Sequence, residues 1–160
     1  MLRKLVKALH EVGTVGYMGS LAACLVLAAN APRDSLLAYA AARQGIASVC
    51  QWLLVPSLVL VVTSGLLAIG LNRGYQNAGW AWLKALLGVS MFEGTLLTVA
   101  ASARHAADLA ALAAAGQGDP GELAVLLRTE QGGLWLLLGA AAANIVLAVW
   151  RPSLHWRWVK

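Results

Sequence analysis

Lys84 and Glu93 are the only charged side chains between Gly74 and Ala103. Charge held in hydrocarbon is costly, so an ionisable residue inside a membrane segment marks a functional site by default. His10 is the third residue suited to chemistry. It lies three residues past Lys7, which by helix rise is about 5 Å in from one membrane face, and Lys84, four residues past Trp80, lies about 6 Å in from the same face. The two therefore share a level. His105 is twenty-one residues from Lys84 on one continuous helix, about 30 Å away, so His10 and His105 cannot serve one small cofactor. His155, after Pro152, can approach His10. Nine residues separate Lys84 from Glu93, about 180° of helix, which keeps the two from pairing with each other.

The elements that position these residues are four apolar segments, over 8–31, 44–71, 79–104 and 131–150, each near or above the ~20 residues a spanning helix needs. The chain is 60% hydrophobic and 12% charged, with a mean hydropathy of +0.71, too little polar surface to cover a soluble globule of 160 residues. The reading is all-α: a four-transmembrane-helix, up-down-up-down bundle forming one integral membrane domain over 1–160. Arg3, Lys4 and Lys7 ahead of an apolar stretch resemble a signal peptide, but the stretch is longer than an h-region and three spans follow, so it reads as a retained helix.

Lys and Arg counts orient the bundle. With the N-terminus inside, the inner side holds Arg3, Lys4, Lys7, Arg73, Lys84, Arg151, Arg157 and Lys160, against Arg33, Arg43, Arg104 and Arg128 outside. This reads as a multi-pass protein of a bacterial-type cytoplasmic membrane with both termini cytoplasmic. The net charge of +5 is accounted for by topology and anionic headgroups and carries no nucleic-acid inference. Trp80, Trp82, Trp150, Trp156 and Trp158 make an interfacial belt at the inner side.

Asp34 or Ser35 is suited to cap a second helix that starts outside the bilayer. Asn72 to Asn77 makes the inner turn. Asp119, with Pro120 at N1 and Glu122 three residues on, resembles a capping box for the fourth helix. Gly13, Gly16 and Gly19 thin one flank of the first helix for close approach to another helix or a flat ring. At Glu93 the bland account is a protonated carboxyl bonded inside the bundle, with the Trp52 carbonyl freed by Pro56 as acceptor. For Lys84 it is snorkelling beside Glu11. Cys24 and Cys50 lie at similar depth, placed for packing or for a disulfide; Met18 and Met91 read as core or soft ligands, and Asn144 as interhelical glue. A C-x-x-C-H motif is missing, which removes covalent c-type haem, and hydrolytic and nucleotide motifs are absent.

The run Lys7-Ala8-Leu9-His10, Pro56, the run from Trp80 to Leu87 (Trp-Ala-Trp-Leu-Lys-Ala-Leu-Leu) and Arg151-Pro152 resemble the HemJ type of membrane protein. They are also similar to the related copper-resistance D and uncharacterised integral membrane families. The resemblance covers nearly the whole chain through short motifs. It implies one b-type haem toward the cytoplasmic side, with His10 as axial ligand of the iron and Lys84 as second ligand or anion-holder, and oxidation of protoporphyrinogen with electron transfer to quinone. The chain departs from that pattern at Leu25-Val26-Leu27-Ala28-Ala29, where the family typically carries an Arg-containing, His-ended stretch, and at the second histidine that family members often show in the third helix, where the nearest polar residue here is Glu93. The alternative reading is a non-catalytic accessory subunit of a respiratory or photosynthetic membrane complex, packed through thin Gly/Ala faces against other subunits or its own copies. Transport fits less well, because one Glu and one Lys at different depths make a poor pathway.

Overall fold

A computed structural model describes residues 1–117 and 120–150. Asp119, Arg151, Pro152, His155, Trp156, Trp158 and the rest of the tail lie outside the described residues, so the capping box, the approach of His155 to His10 and that part of the tryptophan belt are not placed. Four long helices make up the described chain: α1 Leu2–Ala29, α2 Leu36–Leu71, α3 Gly79–Ala114 and α4 Pro120–Trp150. Each carries a window long and apolar enough to cross a membrane, and no strand occurs among the described residues. The chain is an all-helical, multi-pass membrane bundle.

Local chemistry sets the helix ends. Ser35 is the cap that α2 uses: its hydroxyl accepts from the Ala38 N–H at 3.3 Å, one of the otherwise unpaired first-turn donors. Between α2 and α3, the Asn72 side chain accepts from Gly74 N–H at 3.0 Å and starts a single helical turn, Arg73–Gln76. Trp82 Nε1–H then donates to the Gln76 carbonyl at 2.9 Å, and Tyr75 meets Trp80 edge to face. α3 ends at Gly116, whose φ of +77° a residue with a Cβ rarely adopts. There Gln117 N–H reaches the Leu112 carbonyl at 2.9 Å and Gly116 N–H the Ala113 carbonyl at 3.1 Å, the paired bonds of a Schellman stop.

α2 and α3 have 36 residues each, about 54 Å of helix against about 30 Å of hydrocarbon. They are therefore longer than the hydrocarbon layer is thick; the end of the bundle away from the N-terminus is here called the far end. There the small residues Ala103, Ala106, Ala107 and Ala110 of α3 are buried, and this stretch packs on the first turns of α2. Both helices pass through a π-helical turn, Cys50–Leu54 in α2 and Thr95–Ala100 in α3. Each such turn adds a residue and rotates the remainder of its helix onto a new face.

α1 packs on α2, α2 on α3, α3 on α4 and α4 on α1. The α1–α2 contact is the tightest, as the glycine spacing predicts. A Cβ on Gly13 would stand 2.9 Å from Val61 Cγ2 and 3.1 Å from the Ser57 carbonyl, and one on Gly16 would stand 2.5 Å from Ser57 Oγ. Gly19 is different: it is exposed and nothing lies within 4 Å of its Cβ position. Tyr17, Leu21, Leu58, Met91, Leu134 and Leu137 are among the residues that fill the centre.

Candidate functional site

His10 is placed by the glycines beyond it on α1. Because Gly13 and Gly16 let α1 lie against α2, the imidazole reaches across the contact, and its Nδ1 sits 3.1 Å from both the Val61 carbonyl and Ser64 Oγ. Gly65 provides the seat, since a Cβ there would stand 3.4 Å from His10 Cε1. The partners decide the tautomer. A carbonyl only accepts, and the Ser64 hydroxyl donates its proton to the Leu60 carbonyl one turn back, leaving its oxygen to accept. Both partners thus require a proton on Nδ1, which leaves the Nε2 lone pair free when the ring is neutral.

The ring borders a partly open cavity of about 50 Å³ lined by all four helices. Thr14, Tyr17 and Met18 of α1, Leu58 and Val61 of α2, Lys84, Gly88 and Met91 of α3, and Ala141, Asn144 and Ile145 of α4 complete its wall. Tyr17 closes the upper end by bonding Thr95 Oγ1 at 2.9 Å, and Thr14 returns its hydroxyl to the His10 carbonyl at 2.8 Å. Asn144 Oδ1 is buried with no partner, which is the acceptor a water in this space would satisfy. The volume suits one or two waters.

Lys84 is half-buried in the same wall, close enough for its charge to act on His10. Glu11 acts on Lys84 in turn, yet no ion pair joins them among the described residues. The shared level of His10 and Lys84 thus becomes a shared cavity, and Met18, Met91 and Asn144 join it. Two donors suit a cofactor there: His10 through Nε2, its Nδ1–H held by a backbone carbonyl in the manner of metal-bound imidazoles, and Lys84 as cation. The space does not suit a porphyrin. Ligand pockets run to about 300–1,000 Å³, so a macrocycle does not fit between the helices as packed. Among the described residues no group of three or more His, Cys, Asp or Glu side chains converges to hold a metal ion.

The other residues singled out by sequence separate. His105 stands at the far end with Nε2 3.6 Å from a Glu122 carboxylate oxygen, both side chains half exposed. Cys24 and Cys50 are both buried free thiols whose sulfurs are hydrogen-bonded at 3.6 Å, with no disulfide between them. Glu93 overturns its expectation: it is exposed on the outer face of α3 and makes no bond to the Trp52 carbonyl or to any other described group. The register explains this, because Gly88, Met91 and Thr95 turn inward and put Glu93 on the opposite side of the helix.

Sequence reasoning counted Arg43 only among the outer-side charges and did not single out Glu130, whereas both are buried in the bundle and joined as an ion pair. The signal was present. Arg43 leads the stripe Ile46, Ala47, Cys50 and Leu54, and Glu130 leads Leu134, Leu137 and Ala141, all of them buried and all at helical spacing. No family model, curated protein or solved structure matches this chain.

Proposed function

We propose that this chain is an integral membrane redox protein of HemJ-like type, working through the His10–Lys84 cavity at the cytoplasmic end of the bundle in a bacterial-type inner membrane. The observation that supports this most is the state of His10. Its Nδ1–H is committed to Val61 and Ser64, which leaves Nε2 as a free donor in a cavity that also holds Lys84. His10 is the residue to ligate a b-type haem, and Lys84 the residue to hold an anionic edge or serve as second ligand.

Since the packed helices leave no room for the ring, binding requires α1 and α3 to part at their cytoplasmic ends. No ion pair joins Glu11 to Lys84 at that end. The orientation rests on the Lys/Arg bias, with Arg3, Lys4, Lys7 and Arg73 gathered at the N-terminal end of the bundle. Reporter fusions at the N-terminus and in the Asn30–Asp34 connection test it and should report opposite sides.

Haemin titration of the purified chain in detergent tests the site. A reduced-minus-oxidised spectrum with Soret and α bands is expected, lost in His10→Ala and kept in His105→Ala. A chain that stays colourless after titration sinks the reading.

A further inference from the structure

Cys24 of α1 and Cys50 of α2 meet toward the far end of the bundle, and neither thiol lines the His10 cavity. Cys24 is fourteen residues beyond His10, about 21 Å along α1. The two sulfurs are hydrogen-bonded at 3.6 Å, and the residues are 0% and 1% exposed. No third His, Cys, Asp or Glu joins them as a metal site among the described residues, so the chemistry open to the pair is that of a dithiol. A disulfide has its sulfurs about 2.05 Å apart, so closure needs an approach of roughly 1.5 Å. The backbone at Cys50 has the play for it. Cys50 opens the π-helical turn Cys50–Leu54, and its N–H is shared between the Ile46 and Ala47 carbonyls, so a small shift exchanges one acceptor for the other and leaves the helix intact. The setting is also not purely apolar. The charges of Glu130 and Arg43 reach both sulfurs, and Arg43 Nε and Glu130 Oε1 have no hydrogen-bond partner among the described residues.

We propose that Cys24 and Cys50 are a reversible oxidation site, a dithiol that a small uncharged hydroperoxide converts into a disulfide between α1 and α2. Burial selects the oxidant. A charged disulfide such as oxidised glutathione, or a ring as large as a quinone, cannot touch sulfurs sealed in the core, whereas hydrogen peroxide is close to water in size and carries no charge. One sulfur attacks the peroxide: an S–O bond forms as the O–O bond breaks, and the thiol proton leaves with the departing hydroxide as water. The S–H of the neighbouring thiol, already in hydrogen-bonding contact, supports the attacking sulfur as it gives up its proton. That neighbour then attacks the sulfenic acid: the S–S bond forms as the S–O bond breaks, and its proton and the hydroxide leave as a second water. The two sulfurs together lose two electrons, which the peroxide gains. A small dithiol reverses the step by exchange, becoming a disulfide itself. The product ties α1 to α2 beyond the Gly13 and Gly16 contact, and the site stands whether or not the His10 cavity takes a cofactor.

The test is dilute hydrogen peroxide applied to the full chain in liposomes, with the remaining thiols counted by maleimide tagging after quenching and unfolding. Both thiols should disappear together within one chain, about tenfold faster in the folded bundle than in chain unfolded in SDS, because folding holds the second sulfur beside the first. Dithiothreitol should restore both. Two cysteines that serve only as packing give the opposite order, since burial then shields them and the folded chain reacts more slowly. Cys24→Ser and Cys50→Ser should each stop at the sulfenic acid, captured by dimedone; if either variant misfolds, the two rates of the parent chain decide alone. Three results overturn the proposal: a folded chain that keeps both thiols, a folded chain that loses them no faster than the unfolded one, or disulfides that join different chains.

Discussion

Arg43 of α2 and Glu130 of α4 form an ion pair shut away from solvent, each side chain 2% exposed. The pair sits at the far end of the bundle, about 30 Å above Trp150 by helix rise, and no other buried salt bridge occurs among the described residues. Arg43 Nε and Glu130 Oε1 remain without hydrogen-bond partners, so each charge relies on the other. Glu130→Gln or Arg43→Met should each lower stability by about 3–5 kcal/mol, because each leaves an unpaired group in a dry site, and replacing both residues by apolar ones of similar volume should restore most of the loss. Denaturation in mixed micelles checks this. Equal stability of the single variants and the parent would show the pair to be dispensable.

Gly13→Ala should cost about 1–3 kcal/mol, since the added Cβ would press on the Ser57 and Val61 backbone, which cannot rotate away. Gly16→Ala should cost less, because the atoms in its way belong to the Ser57 side chain, the hydroxyl, which can rotate, and the Cβ at 3.2 Å, rather than to backbone. Gly19→Ala meets nothing and serves as the neutral control. The same denaturation assay ranks the three, and any other order argues against the α1–α2 contact.

Ser64→Ala removes one of the two acceptors that hold His10 Nδ1–H and should cost about 0.5–1.5 kcal/mol. Gly65→Leu should do more at the site than in the bundle, displacing the imidazole from its seat. Nitrogen-15 spectra of the labelled histidine check this: the parent should show one tautomer protonated at Nδ1, and the Gly65 variant a mixture. A parent protonated at Nε2 would remove the free donor on which the proposed cofactor role depends.

The thiols of Cys24 and Cys50 face each other across α1 and α2 at 3.6 Å. Diamide treatment of membranes should join them within one chain, so that neither takes up a maleimide tag after denaturation. Before oxidation the native protein should label slowly, both side chains being sealed from solvent. Fast native labelling would contradict the packing.

Sequence alone determined everything that depends on distance along a helix. Four spans, the capped start of α2, the inner turn at Asn72 and the common level of His10 and Lys84 come from length, punctuation and a fixed rise per residue. The glycine spacing on α1 likewise announced close packing, and Gly13 and Gly16 deliver it. What the sequence left open is the direction in which a side chain of known depth points. In a soluble helix the apolar stripe marks the inside, but here lipid is as apolar as the core, so Leu86 facing out and Leu58 facing in look alike in the sequence. Only the packing of four helices turned Glu93 toward lipid, buried Arg43 against Glu130 and set His10 against Val61. Two π-helical turns widen the gap further, because each rotates the face of its helix in a way that counting residues by threes and fours does not track.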